Sequence, residues 1–219
     1  SALVVPYLGL AAFLGLLALA VKFSPLPELE KESADNNNAM QIKAALARPS
    51  LALGVLALFV YVAVEVIAGD TIGLFALSLG VERYTVMTSY TMGCMVMGYV
   101  LGIVLIPRVI SQQNMLLVSA VLGVLISLAI VFGSNESTSI SSAFAFLGVP
   151  AIPNTILCIA LLGLANAIVW PAIWPLALSG LGKYTATGSA LLIMAIAGGA
   201  VVPVILGAAS TIVDRQTAY

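Results

Sequence analysis

An apolar run with a carboxylate near its middle constrains this chain more than any other feature. Residues 51–79 read LALGVLALFVYVAVEVIAGDTIGLFALSL, and Glu65 is the only charged residue between positions 51 and 68. About 20 helical residues cross the ~30 Å hydrocarbon core of a bilayer, so the run predicts a membrane-spanning helix. A carboxylate at the bilayer centre costs roughly 2.5–3.5 kcal/mol on insertion scales and usually faces a cavity or a partner.

Two acidic residues of this run are candidate functional groups. Tyr61 lies four residues before Glu65 and shares its helical face, so the pair could line a cavity. The alternative for Glu65 is a protonated carboxyl that holds two helices together. Asp70 follows five residues later and is either a second cavity acid or a residue near the aqueous end of the helix.

The composition extends the membrane assignment to the whole chain. The 219 residues are 62% hydrophobic and 8% charged, whereas a soluble domain is about 25% charged. Apolar runs that contain Gly and Pro indicate helices rather than a barrel. With net charge −1 and no basic patch, no nucleic acid partner is predicted. Histidine is absent, and Cys94 and Cys158 lie inside apolar runs, so no disulfide, metal site or cofactor is predicted.

Six apolar runs make the predicted fold class an all-α integral membrane protein. They cover residues 3–21, 51–79, 85–106, 115–132, 153–179 and 189–209. Residues 23–50 are rich in Pro, Glu and Asn and predict a solvated linker, with a short amphipathic helix over residues 39–48 as an addition. The chain starts without Met or a basic leader, which suggests a piece of a longer protein.

The fifth run carries a polar and aromatic stripe beside two prolines. Asn166, Trp170 and Trp174 are spaced four apart and share one face, while Pro171 and Pro175 interrupt the backbone hydrogen bonds. An amide beside two indoles suits a sugar, because the amide can donate and accept while indole faces pack against C–H groups. Broken helices also recur near transporter binding sites. The alternatives are an interfacial tryptophan belt and plain core packing.

The glycines predict close helix packing, and the distribution of basic residues predicts the orientation of the chain in the membrane. Gly98 and Gly102 have the spacing of closely packed helices, and Gly198, Gly199 and Pro203 indicate close packing with a bend. Six spans place successive loops on alternate sides of the membrane. Six Lys and Arg residues lie on the same side as the linker and two lie on the opposite side, which predicts a cytoplasmic linker and outside positions for both ends of the chain.

Three runs resemble the glucose/galactose transporters, in the fucose–galactose–glucose:proton symporter branch of the major facilitator superfamily. They are FVYVAVEVIAGDTIG (59–73), NAIVWPAIWPLALSGLGKYT (166–185) and TGSALLIMAIAGGAVVP (187–203). PYLGLAAFLGLLALAV is similar to the sixth helix of that family, and MGYVLGIVLIPRVI resembles a degenerate form of the Gly/Arg loop motif of the superfamily. The resemblance covers nearly the whole chain.

The resemblance implies helices six to eleven of a twelve-helix major facilitator fold. Residues 1–22 would be the last helix of the N-terminal half, 23–50 the cytoplasmic connection, and 51–219 the C-terminal half without its last helix. Cavity-lining helices seven and ten would carry the candidate sugar-binding residues, with Glu65 and Asp70 as candidate proton-linked groups. The sugar-binding candidates are Glu65, Tyr61, Asn166, Trp170 and Trp174.

The predicted function is therefore hexose:proton symport by alternating access, in a bacterial inner membrane. Its partners would be a hexose, protons, the bilayer and the missing helices of the full-length chain. The alternatives are a major facilitator exporter of another small solute and a non-transporting sugar sensor. Neither paired intramembrane carboxylates with metal-ligand spacing nor a polar catalytic loop is present, so the chain is not predicted to be an enzyme.

Overall fold

Helices account for all the regular structure in the described part of the chain. The computed structural model describes residues 4–24, 38–106, 108–143, 146 and 151–212. The chain divides into two compact units, Ser1–Asn38 and Ala39–Tyr219. Linker residues 25–37 and Arg215 lie outside the described residues, so the prediction of a solvated linker stays a prediction there.

Six of the described helices are long and apolar enough to span a membrane, which confirms the predicted fold class. Together with two short helices, they are numbered here in chain order: α1 Val4–Lys22, α2 Asn38–Leu46, α3 Pro49–Ser78, α4 Tyr84–Leu105, α5 Gln112–Phe132, α6 Ser139–Ala143, α7 Asn154–Leu178 and α8 Gly182–Ala209. The short amphipathic helix expected over residues 39–48 is α2. The last span starts seven residues before its predicted position, because a 3₁₀ turn at Gly182–Tyr184 leads directly into it.

Local chemistry explains where these helices begin and end. The Ser111 hydroxyl caps α5 by accepting a hydrogen bond from the Asn114 N–H at 3.3 Å. Gly80 follows α3 with φ +73°, a left-handed conformation that glycine adopts without strain. The Val81 N–H then bonds the Ala76 carbonyl, closing a Schellman motif.

Helix α7 lies at the centre of the second unit. It has two parts, α7a (Asn154–Asn166) and α7b (Val169–Leu178), separated by Ala167 and Ile168. Its first part packs against α4 and α5, and its second part packs against α3, α5 and α8. In the most apolar 18-residue stretch of α7, 67% is buried, which is the largest buried share among the six candidate spans.

Small residues permit the closest helix contacts. A Cβ built on Gly98 would lie 2.6 Å from the Ala167 Cβ and 2.9 Å from the Leu164 carbonyl oxygen, so α4 meets α7 there at backbone distance. A Cβ on Gly198 would collide with the Phe59 carbonyl of α3. Both glycines therefore act as the sequence predicts, by letting neighbouring helices approach closely.

Three spans are irregular inside the apolar region. Helix α3 contains a π-helical turn at Ile67–Thr71, α7 is interrupted at residues 167–168, and α8 at residues 196–197, immediately before Gly198. The interruptions of α7 and α8 agree with the bends that their prolines and glycines predict. The π turn has no such signal in the sequence.

Candidate functional site

The α3 side of the candidate site is a tyrosine and a carboxylate one turn apart. Tyr61 is buried, and Glu65 is half-buried. The Glu65 carboxyl interacts electrostatically with the Tyr61 hydroxyl and with the hydroxyl of Tyr99 on α4. Glu65 therefore sits among phenols of two helices, as a group facing a cavity or a partner should.

A π turn follows Glu65 and is held by threonines. Such a turn shifts the backbone register, so its carbonyls need donors from elsewhere. The Thr88 hydroxyl donates to the Gly69 carbonyl at 2.8 Å, and the Thr91 hydroxyl donates to the Ala68 carbonyl at 3.2 Å. Both threonines belong to α4, so the irregular turn of α3 is fixed by its neighbour.

Asp70 occupies the π turn, and its side chain is exposed. Glu65, five residues earlier, is half-buried. The two carboxylates that the sequence offered as proton-linked candidates thus lie in different environments. Asp70 is absent from the linings of both described cavities.

The α7 side of the site is aromatic. The rings of Trp170 and Trp174 stack with centroids 5.8 Å apart and planes inclined by 21°. The Tyr61 ring tilts against Trp170, with centroids 6.5 Å apart and an interplanar angle of 57°. Both tryptophans are half-buried, and both follow the break in α7, so three aromatic rings of two helices form one continuous group.

Two buried polar atoms of the candidate residues lack a well-formed hydrogen bond. Among the described residues, these are the Tyr61 hydroxyl, which has the Glu65 carboxyl near it, and the Asn166 side-chain nitrogen. Their side chains are only 5% and 6% exposed. An unpaired buried polar group costs about 1–3 kcal/mol, so each of these atoms calls for an explanation in function or in a missing partner.

A groove of about 780 Å³ runs beside these two residues, between α3, α5 and α7. Its walls are mostly aliphatic, and Tyr61, Asn166, Ser119 and Ser127 are the polar residues among them. Trp170, Trp174 and Glu65 are not part of its lining. Tyr61 therefore stands between the apolar groove and the aromatic group, and Asn166 lines the groove beside it.

The structure brings together four of the residues that the sequence singled out, places a fifth in the adjoining groove and adds Tyr99. Tyr61 contacts Trp170, Trp170 stacks on Trp174, and Glu65 lies within electrostatic range of Tyr61. Asn166 joins Tyr61 in the lining of the groove. The sequence analysis missed Tyr99, because a tyrosine inside an apolar run gives no sign of which helix it faces. No group of three or more potential metal ligands occurs among the described residues.

Comparisons with known proteins give relatives of similar sequence. The chain is 31% identical over 216 residues to a Helicobacter pylori protein described as a proposed glucose/galactose transporter, covering 97% of this chain and 47% of that protein. It is 27% identical over 218 residues to a glucose/galactose transporter of Brucella abortus, covering 98% and 48%. The chain thus spans about half the length of the curated relatives it matches. No protein-family profile matches it.

Among solved structures, the chain is similar to an E. coli fucose:proton symporter. The TM-score is 0.76 at 21% sequence identity, over 97% of this chain and 50% of the symporter. The match shows the fold, which is similar to that of half of this symporter. The resemblance to the glucose/galactose transporters is confirmed by the relatives, all of which are named as transporters and none as an enzyme.

Proposed function

We propose that this chain is part of a proton-coupled hexose transporter that works by alternating access. The observation that carries the proposal is the contact of Tyr61 with a stacked indole pair, next to the half-buried Glu65 carboxyl. The Asn166 amide nitrogen, which is buried without a partner, shares the adjoining groove with Tyr61. The names of the relatives support a sugar as the substrate class and protons as the coupling ion.

The chemistry of this cluster matches the two surfaces of a hexose. Sugar hydroxyls both donate and accept, so they can pair with the Asn166 amide and the Tyr61 hydroxyl. The axial C–H groups of the ring pack on aromatic faces, which Trp170 and Trp174 supply. The aliphatic groove between α3, α5 and α7 suits a hydroxyl-rich ring poorly, so we assign the sugar to the aromatic side of Tyr61 and Asn166.

Burial of the two polar atoms is consistent with alternating access. Both side chains line the apolar groove but are otherwise more than nine-tenths buried, so a sugar on the aromatic side would reach them only after helices move apart. Major facilitator transporters bind substrate near the bilayer midplane and expose it to one side at a time by rocking their halves. The breaks in α3 and α7 lie beside the cluster, and movement there would require the neighbouring helices that hold them to move as well.

Glu65 is the proposed proton-linked group of this half. It is the acidic residue that interacts electrostatically with the phenols of Tyr61 and Tyr99. It could accept a hydrogen bond from a sugar hydroxyl when ionised or carry the coupled proton when neutral. Asp70 is the second candidate, but its exposed position favours a role at the water-facing end of the pathway. We further propose the bacterial inner membrane as the location, with the linker at residues 23–50 in the cytoplasm.

The test is uptake by proteoliposomes that contain the full-length protein. Labelled glucose, galactose and fucose would each be offered with and without an inward proton gradient. We expect one of them to accumulate above equilibrium only when the gradient is present. Protein-free liposomes with the same gradient are the control for passive leak.

Other results would favour different functions. Equilibration that ignores the gradient would leave a sugar carrier without proton coupling. Binding of a hexose without uptake would favour a membrane sugar sensor. If none of the three sugars binds to a folded preparation, the cluster serves another small solute, and a major facilitator exporter becomes the better assignment.

A further inference from the structure

The helix segment that carries both tryptophans has a gap in its backbone hydrogen bonding. Pro175 lies inside α7b and has no N–H, so the Pro171 carbonyl, four residues earlier, loses its usual helical donor. Without that donor, the carbonyl must be satisfied by water or by another part of the protein.

A side chain from another helix fills the gap. The Gln112 Nε2 donates to the Pro171 carbonyl oxygen at 2.8 Å. A carbonyl oxygen can only accept, so the amide nitrogen of Gln112 is the end that faces it. Gln112 is the first residue of α5, and the cap formed by Ser111 on the Asn114 N–H fixes that helix start. The donor therefore comes from a well-defined position on the neighbouring span.

The bonded carbonyl lies in the chain between the two tryptophans. Pro171 directly follows Trp170 and precedes Trp174 by three residues, so the bond anchors the backbone between the two stacked rings. Helix α5 also packs against α7b. Rotation or bending of this segment would change the overlap of the two rings and the contact between Trp170 and Tyr61.

We propose that Gln112 is a positioning residue, whose amide replaces the helical hydrogen bond missing at Pro175 and thereby sets the orientation of the Trp170–Trp174 pair. Gln112 does not touch the sugar in this assignment. The predicted effect of Gln112 on sugar affinity depends on the proposed function, whereas its predicted effect on the orientation of the indoles does not.

The prolines make the inference testable by a double substitution. In Pro175→Ala an N–H returns to the position that normally bonds the Pro171 carbonyl, so the Gln112 amide becomes redundant. Substitution of Gln112 should therefore change the orientation of the indoles in the natural sequence and change it little in the Pro175→Ala background. A residue that only filled space at the start of α5 would have the same effect in both backgrounds.

The first readout is the environment of the indoles themselves. The purified full-length protein would be labelled with 5-fluorotryptophan, and Trp170→Phe and Trp174→Phe would assign the two resonances in ¹⁹F spectra. We expect Gln112→Ala and the similarly sized Gln112→Met to shift both resonances, while Gln113→Ala leaves them in place. In the Pro175→Ala background, Gln112→Ala should cause no further shift.

The second readout is the apparent affinity for whichever of glucose, galactose and fucose is bound. Loss of one neutral hydrogen bond predicts a decrease of about fivefold for Gln112→Ala and none for Gln113→Ala. Resonances unmoved by both Gln112 variants would overturn the inference, and so would equal shifts in the two proline backgrounds. Shifted resonances with unchanged sugar affinity would overturn the link to the site. Shifted resonances in a protein that binds none of the sugars would support the positioning role and reject the proposed function.

Discussion

At the scale of single residues, the candidate site contains buried polar groups that lower the stability of the fold. The Tyr61 hydroxyl and the Asn166 amide nitrogen are buried without a well-formed hydrogen bond, and an unpaired buried group costs about 1–3 kcal/mol. Glu65 adds a carboxylate inside an apolar span, close to the Tyr61 hydroxyl. These polar groups on two neighbouring helices are the reason for proposing a ligand site there.

Trp170 offers the most direct test of sugar stacking. We expect Trp170→Ala to lower the apparent hexose affinity about tenfold, because aromatic contacts of this kind contribute about 0.5–1.5 kcal/mol and the pair with Trp174 is lost as well. Leu161→Ala, on the same helix, is the control for removing a large apolar side chain. Equal losses of affinity in the two variants, measured by substrate competition, would count against stacking.

Glu65→Gln separates a mechanistic carboxyl from a structural one. The amide has the same shape and no charge, so membrane insertion should be preserved or improved. We expect gradient-driven accumulation to be lost or strongly reduced, while the protein is still recovered folded from the membrane. Uptake kinetics indistinguishable from those of the unchanged protein would remove Glu65 from the mechanism.

At the scale of elements, α3 and α7 combine tight packing with local irregularity. Each contains an interruption at membrane depth, and each interruption has donors or prolines that account for it: Thr88 and Thr91 at the π turn of α3, and Pro171 and Pro175 in α7. Close contacts on either side keep these irregular segments in place. The helices that carry the site are thus held in place more by contacts with neighbouring helices than by the helix propensity of their own residues.

Gly163 tests that packing. Its missing Cβ leaves room for the Thr91 carbonyl, so Gly163→Ala would force α4 and α7 apart at a cost of about 1–3 kcal/mol. For a chain of this size each kcal/mol lowers the Tm by about 2–4 °C. Gly123→Ala is the matched control, because a Cβ there meets nothing within 4 Å. Thermal unfolding in detergent should show a lower Tm for Gly163→Ala and an unchanged or higher one for Gly123→Ala.

At the scale of the whole molecule, the orientation in the membrane is the largest open prediction. The excess of Lys and Arg beside the linker predicts that Lys183 faces the cytoplasm and that Glu136, in the loop after α5, faces outside. With Cys94→Ala and Cys158→Ala as background, a membrane-impermeant maleimide should label Glu136→Cys in intact cells. It should label Lys183→Cys only after permeabilisation, and the opposite pattern would invert the topology.

The sequence by itself determined the class of fold, the number of spans and the residue types of the candidate site. Hydropathy is a sum over neighbouring residues, so six apolar runs were sufficient to predict six helices. The tertiary structure alone decided which side chains meet. The contact of Tyr61 with Trp170, the bond from Gln112 to Pro171 and the threonine donors of the π turn each depend on the rotation and register of one helix against another. Those quantities arise from packing between distant segments, and no local pattern of residues encodes them.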